Sequence, residues 1–164
     1  MPSVLEGFNS GTRVGVISTV TPTISTGIYA SGDQIGGVMS FTGCAKVNGG
    51  TGRITAVTLL DRDKESAPIE LHLWTTVPTV TSTDNGVADI TDANQATAFT
   101  GYLGAVLLSS YQAWSGNSVA SVSVGIDYKC ASGSTTITGV AIVRGTPTYT
   151  ATSDLIFGLC TAQD

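Results

Sequence analysis

Regular alternation of apolar and polar residues is the feature that most constrains the fold of this chain. In residues 69–74 every second residue is Ile or Leu, and in residues 120–128 alanine, valine, isoleucine and tyrosine alternate with serine, glycine and aspartate. Successive side chains on a β-strand point to opposite faces, whereas a helix repeats every 3.6 residues. Both stretches therefore predict strands with one face toward a core and one toward solvent.

Six further strands are predicted between turn signals rich in glycine, asparagine and serine. They cover Arg13–Ser18, Ile35–Thr42, Arg53–Asp61, Gly101–Ser109, Thr135–Arg144 and Asp154–Thr161. The sequence thus predicts an all-β fold, a jelly-roll-like β-sandwich of about eight strands, formed by residues 13–164 as a single domain. Residues 1–12 are expected to form an extended N-terminal arm, and Asp92–Thr97 one helical turn with Asp92 as its N-cap.

Composition excludes several classes of function. Charged residues make up 12% of the chain, while 25 Thr and 17 Ser supply small hydroxyl groups. The net charge of −5 argues against a nucleic-acid partner, which a basic surface would attract. No apolar run approaches the roughly 18 residues that a membrane helix requires. Cys44, Cys130 and Cys160 are an odd set without metal-site spacing, and no N-terminal signal pattern is visible, so we expect free thiols in a protein folded in cytoplasm. Cys160 is expected to be buried.

The sequence offers little for catalysis, and we expect no enzymatic activity. The single histidine, His72, lies between Glu70 and Trp74 on one face of a predicted strand, where a structural role is favoured over that of a base. Asp61, Asp63 and Glu65 alternate as Ca²⁺ ligands do, but two cations interleave them, so a solvated charge cluster is favoured. Residues 84–92 form a second acidic loop, for which a solvated charge cluster is again favoured over a Ca²⁺ site. No cofactor or metal is expected.

Apolar residues on both faces of some predicted strands suggest a surface that another protein covers. An outward face carrying Val57, Leu59, Val140 and Ile142 would be an aggregation hazard on a free monomer. Burial by a partner is one solution, and a second core layer is the alternative. Two Pro-Thr stretches, residues 20–26 and 77–86, look extended, and each is either a contact segment or an ordinary surface loop.

The chain resembles small structural proteins of tailed-phage virions over roughly residues 19–164. The stretches that carry the resemblance are Thr19–Ile24, Tyr29–Gly37, Gly52–Val57, Ile69–Trp74, Thr83–Gly86, Asp89–Ala93 and Val143–Tyr149. The resemblance implies a capsid decoration, or cement, protein with a jelly-roll-like fold and no enzymatic activity, located on the capsid exterior after folding in the host cytoplasm. Its expected partners are the phage major capsid protein and itself, as a homodimer or homotrimer.

The N-terminal arm and the two Pro-Thr stretches are the expected capsid contacts. The candidate residues are Pro2, Ser3, Val4, Leu5, Phe8, Pro22, Thr23, Pro78 and Thr79. The alternative is a tail or fibre-associated module that binds carbohydrate through Trp74 or Trp114, or binds another tail protein. The number of copies per virion separates these hypotheses.

Overall fold

The computed structural model describes residues 13–164 and shows a protein whose regular elements are nine β-strands and one short helix. The arm residues Pro2, Ser3, Val4, Leu5 and Phe8 lie outside the described residues. The elements are β1 (Val14–Val20), β2 (Gln34–Phe41), β3 (Thr51–Asp61), β4 (Ile69–Trp74), α1 (Asp92–Phe99), β5 (Tyr102–Leu108), β6 (Tyr111–Ala113), β7 (Ser118–Lys129), β8 (Ile137–Val143) and β9 (Leu155–Gln163). The predicted strands are confirmed with small shifts at their ends.

Two antiparallel sheets pack face to face and confirm the predicted β-sandwich. Sheet 1 has the order β1-β9-β3-β7-β6, and sheet 2 has the order β2-β8-β4-β5. Every pair of adjacent strands is antiparallel. Each sheet has one face in the shared core and one outward face.

The core lies between the inner faces of the two sheets, as alternation predicted. Ile69, Leu71 and Leu73 on β4 have no exposed surface. On β7 the residues of even number from 120 to 128 are buried or half-buried, while Ser121 and Ser123 are exposed. The inner rows therefore supply the apolar surface whose removal from water drives folding.

The expected outward position of Val57 and Leu59 is wrong, because both are buried in the core. A β-bulge between Ile54 and Ala56 explains the difference. One extra residue in a strand reverses the alternation, so that even positions face inward before the bulge and odd positions after it. Ile54, Val57 and Leu59 therefore all point into the core although their spacing breaks a strict period of two.

Three smaller expectations need correction. The N-cap of α1 is Thr91 rather than Asp92, and Asp92 occupies the first turn, where a carboxylate favours the helix dipole. Strand β6 was not predicted, because three residues are too few to show alternation. All three cysteines are free, as predicted, but Cys160 is only half-buried because its side chain lies on the outward face of β9.

Candidate functional site

The outward face of sheet 1 is broad and carries mostly hydroxyl groups. Register places Thr19, Gly158, Thr58 and Ser121 in one row across four adjacent strands. A second row places Ile17, Cys160, Ala56 and Ser123 side by side. We call this surface the hydroxyl face, defined by Thr19, Thr55, Thr58, Ser121 and Ser123. It is open to solvent among the described residues, since its serines and most of its threonines are exposed.

Two threonine hydroxyls of this face, those of Thr55 and Thr58, lie against carbonyls of the sheet itself. Thr55 Oγ1 donates to the carbonyl of Cys160 at 3.1 Å, and Thr58 Oγ1 approaches the carbonyl of Gly158 at 3.5 Å. Such side chains lie along the sheet and expose their methyl groups together with unused oxygen lone pairs. The result is a surface of short side chains that combines methyl groups with hydrogen-bond acceptors.

Most charges on sheet 1 are paired near one end of the sheet, and Lys129 there is exposed without an ion pair among the described residues. Arg53 donates to both carboxylate oxygens of Asp127, at 2.6 and 2.9 Å. Arg13 Nε lies 3.1 Å from a carboxylate oxygen of Asp164. The Arg53 guanidinium lowers the pKa of Asp127 by hydrogen bonding to it. The hydroxyl face therefore presents little uncompensated charge to a neighbouring surface.

The outward face of sheet 2 differs, because α1 and residues 80–90 lie over it. Between them is an open pocket of about 370 Å³. Aromatic rings form a continuous cluster along one wall: Trp74 and Tyr102 have ring centroids 5.1 Å apart, and Phe99 and Tyr102 have centroids 5.4 Å apart. Val140 and Ile142 also line this pocket; Val140 is buried beneath the cover, whereas Ile142 is only half-buried and belongs with Val140 outside the central core.

His72 lies in the aromatic wall and is held by its neighbours. Its Nδ1 is 2.9 Å from the hydroxyl of Tyr102, and its Nε2 is 3.4 Å from Glu70 Oε2 without forming a hydrogen bond. Glu70 in turn accepts a hydrogen bond of 2.6 Å from Arg144, which lowers the pKa of Glu70. These contacts orient the imidazole, and none of its described hydrogen bonds comes from a serine, threonine or cysteine.

The acidic loop after β3 uses its carboxylates to hold backbone groups. Asp61 accepts hydrogen bonds from the amides of Asp63 and Ser66, at 3.1 and 2.7 Å. Glu65 accepts one from the amide of Thr148 at 3.1 Å, and Asp63 bonds to Thr150. Burial raises the pKa of Asp61. Across residues 13–164 no group of three or more His, Cys, Asp or Glu side chains is placed to hold a metal ion.

The two Pro-Thr stretches are the described part of the expected capsid contact. Pro22 and Pro78 are buried, whereas Thr23 and Thr79 are exposed. Pro22 packs against Gly36, whose positive φ of 65° and missing side chain permit this close approach. Only the threonines of the two pairs are therefore available at the surface.

A buried tyrosine ties the loops that contain these stretches together. The Tyr29 hydroxyl donates to Asp84 Oδ1 at 2.6 Å and accepts from the amide of Ser25 at 2.9 Å. Asp84 also accepts from the amide of Gly36. Burial raises the pKa of Tyr29, and the Asp84 carboxylate adds to that increase. The loops of residues 21–33 and 75–91 thus meet at the edge of β2 and are fixed to the body of the protein. The periodicity of the sequence contained no signal for this pairing.

Comparison with known proteins assigns no family: no protein-family model matches the sequence, and no curated protein matches it. Within the described residues, no helix is both long and apolar enough to cross a membrane.

Proposed function

We propose that this protein is a virion structural protein, a capsid decoration protein that binds the assembled lattice of a phage major capsid protein and stabilises the head. It acts without enzymatic chemistry. Such a protein stabilises a shell by mass action, because it binds the assembled lattice and not the free subunits. The requirement is a rigid surface, broad enough to bury the roughly 1,000 Å² or more typical of specific interfaces.

The hydroxyl face is the observation that carries this proposal. It spans β1, β9, β3 and β7, and its rows are set by continuous backbone pairing. A nearly neutral surface of short side chains buries area against another protein without the cost of desolvating unpaired charges. The exposed Thr23 lies on a loop held by the Tyr29 hydroxyl, which bonds to Ser25 and Asp84, so its ordering on binding costs little entropy. Thr79 is exposed on the loop that also carries Asp84.

The strand order supports the jelly-roll part of the prediction. Apart from β6, strands 1, 9, 3 and 7 form one sheet and strands 2, 8, 4 and 5 form the other. The chain therefore crosses between sheets at most of its connections, as expected when two Greek keys are folded over each other. Jelly rolls are common among viral capsid domains, and fold alone does not establish function.

Binding to heads that lack the protein tests the proposal. The variant Ser121→Lys/Ser123→Lys places two unpaired cations in the hydroxyl face, and we expect it to bind at least about tenfold more weakly, since desolvating them opposes contact. The control is Phe99→Lys, which adds a cation at an exposed site on the opposite side of the sandwich. The measurement is the fraction of protein that cosediments with heads, with melting temperatures as a check on folding.

Equal binding by all three proteins would exclude the hydroxyl face as the contact, and absence of binding by the wild type would exclude the function. Copy number in purified virions separates this function from the tail or fibre alternative. Hundreds of copies support a shell protein, whereas a few copies favour a tail module.

One observation favours the carbohydrate-binding alternative. Trp114 is 65% exposed, in a turn closed by a hydrogen bond of 2.8 Å from its own amide to the carbonyl of Asn117. Trp74 is 5% exposed and packs against Tyr102, so its ring offers little surface to a sugar. If the alternative holds, glycan binding disappears in Trp114→Ala and survives in Ser121→Lys/Ser123→Lys.

A further inference from the structure

The four edge strands of the two sheets differ in how they are protected from pairing with another chain. Three have a device that blocks pairing. Strand β6 has only three residues, and β5 carries an irregularity in register beside Gly104, whose φ is +126°. Strand β2 also has a register shift, and backbone bonds to Asn85 and Gly86 cover its first residue. Short strands, bulges and covering loops are the usual ways in which proteins protect sheet edges.

Strand β1 has none of these devices in the described part of the chain. Its seven residues pair with β9 in unbroken register, from Val14 opposite Gln163 to Val20 opposite Phe157. The strand contains no charged residue and no proline. Apart from its pairing with β9, its backbone forms no hydrogen bond to any other backbone group within residues 13–164. An unbroken, neutral edge of this length is a template for an added strand.

The side chains of β1 indicate what the added strand must carry. Val14, Val16 and Val20 lie on the core-facing row, because their partners on β9 face the core. Val14 is nevertheless 44% exposed, since the sheet ends at β1 and nothing described lies beyond it. On the outward row, Ile17 is 68% exposed. The missing neighbour therefore presents apolar residues on both faces and no charge.

A second copy of β1 meets these requirements. In an antiparallel pair with a two-fold axis at Ile17, Val14 lies opposite the partner's Val20, Val16 opposite the partner's Ser18, and Ile17 opposite its own copy. No like charges meet, and the core-facing row continues from one copy into the other, with Val14–Val20 pairs at its ends and Val16–Ser18 pairs between them. Opposed apolar pairs of this kind stabilise antiparallel strands. Two-fold pairing of identical surfaces is also the commonest form of oligomer.

We propose that this protein forms a homodimer in which the β1 strands of two copies pair antiparallel about Ile17, joining their two sheets 1 into one continuous sheet. The hydroxyl face would then extend across both copies. This inference specifies the self-association that the resemblance to virion proteins implies, but it does not depend on capsid binding. Dimerisation is measured without capsids, so failure of one proposal is distinguishable from failure of the other.

Sedimentation equilibrium of the full chain tests the pairing. We expect a dimer for the wild type and at least about tenfold weaker dimerisation for Ile17→Lys, because two cations would lie directly opposite each other. The matched control is Val47→Lys, an exposed valine in the connection between β2 and β3, which we expect to dimerise like the wild type. A monomeric wild type, or an Ile17→Lys variant that dimerises normally, overturns the proposal.

Crosslinking tests the position of the two-fold axis. Because Ile17 lies beside Cys160 on β9, the cysteine at position 17 is introduced together with Cys160→Ser. Opposed residues of antiparallel strands have Cα atoms about 4.5–5.5 Å apart, within the range a disulfide spans. Ile17→Cys should give a covalent dimer on mild oxidation, and Val47→Cys in the same background should not. A dimer that crosslinks equally at both positions contradicts the proposed axis.

Discussion

The outward face of sheet 1 is open to solvent, whereas the outward face of sheet 2 is covered by other parts of the chain. Sheet 1 presents Thr55, Ser121 and Ser123 directly to solvent, whereas sheet 2 has α1 and residues 80–90 over its outward side. Beneath this cover Trp74 and Val140 are buried outside the central core. The comparison shows that apolar residues on both faces of a strand do not require a partner protein, since a short helix and a loop of the same chain cover them.

The two tryptophans provide the test with the largest expected effect. Trp74→Ala should lower the free energy of unfolding by about 3–5 kcal/mol, because it leaves a cavity between sheet 2 and its cover. Trp114→Ala, at an exposed position, should change it by no more than about 0.5 kcal/mol. Chemical denaturation measures both values. Equal losses in the two variants would mean that the cover over sheet 2 contributes little.

Two buried tyrosines show what fixes the loop that leads into this cover. Tyr29 and Tyr149 are equally buried, and their ring centroids lie 6.0 Å apart. The Tyr149 hydroxyl, however, has no hydrogen-bond partner among the described residues. Tyr29→Phe removes the bonds to Asp84 and to the Ser25 amide and should cost about 1.5–3 kcal/mol, the range for a bond to a charged group.

Tyr149→Phe is the matched control. It removes a buried hydroxyl without removing a bond and should change stability by less than about 0.5 kcal/mol or increase it slightly. Thermal and chemical unfolding of the two variants measure the difference. If Tyr149→Phe proves as costly as Tyr29→Phe, the Tyr29–Asp84 bond is not what fixes residues 82–88.

The smallest expected effect concerns charge on the covered side. The hydrogen bond from Arg144 lowers the pKa of Glu70, so the folded state favours the carboxylate. The contribution of the Glu70 carboxylate to the free energy of unfolding is present above the unfolded pKa of roughly 4.3. It is lost as pH falls through the lower folded pKa. Glu70→Gln should therefore cost about 0.5 kcal/mol at pH 7, since the ion pair is partly exposed, and less in acid.

The measurement is unfolding of wild type and Glu70→Gln across a pH series. Asp127→Asn on sheet 1 is the control, where the partner Arg53 and the carboxylate are more exposed than on sheet 2. Because solvent screens the exposed pair more strongly, Asp127→Asn should lose less free energy of unfolding than Glu70→Gln. A difference between wild type and Glu70→Gln that grows as pH falls would contradict the assigned role of Glu70.

Strand positions were predictable because the pattern that marks them is local. The alternation in residues 69–74 and 120–128 depends only on neighbouring side chains, and the observed strands contain both stretches. The orientation of Val57 and Leu59 was not predictable in the same way. A single extra residue near Thr55 reverses the phase of β3, and bulges leave no consistent mark in composition.

The candidate surfaces were predictable only in part. The abundance of threonine and serine indicated a neutral surface. That several of these residues lie together on the outward face of sheet 1 follows from the register of four strands. The Pro-Thr stretches were recognised as extended, whereas the burial of Pro22 depends on Gly36, a residue that only the folded chain brings beside it.

The sequence by itself determined that this chain forms strands, that its core is built from alternate residues, and that its surface carries little charge. Those properties follow from side-chain type and spacing, which act over a few residues. Only the tertiary structure decided which sheet face stays open, which is covered by α1, and which edge remains unpaired. These outcomes depend on contacts between segments distant in sequence. Such contacts stabilise the protein only once the sheets have packed together.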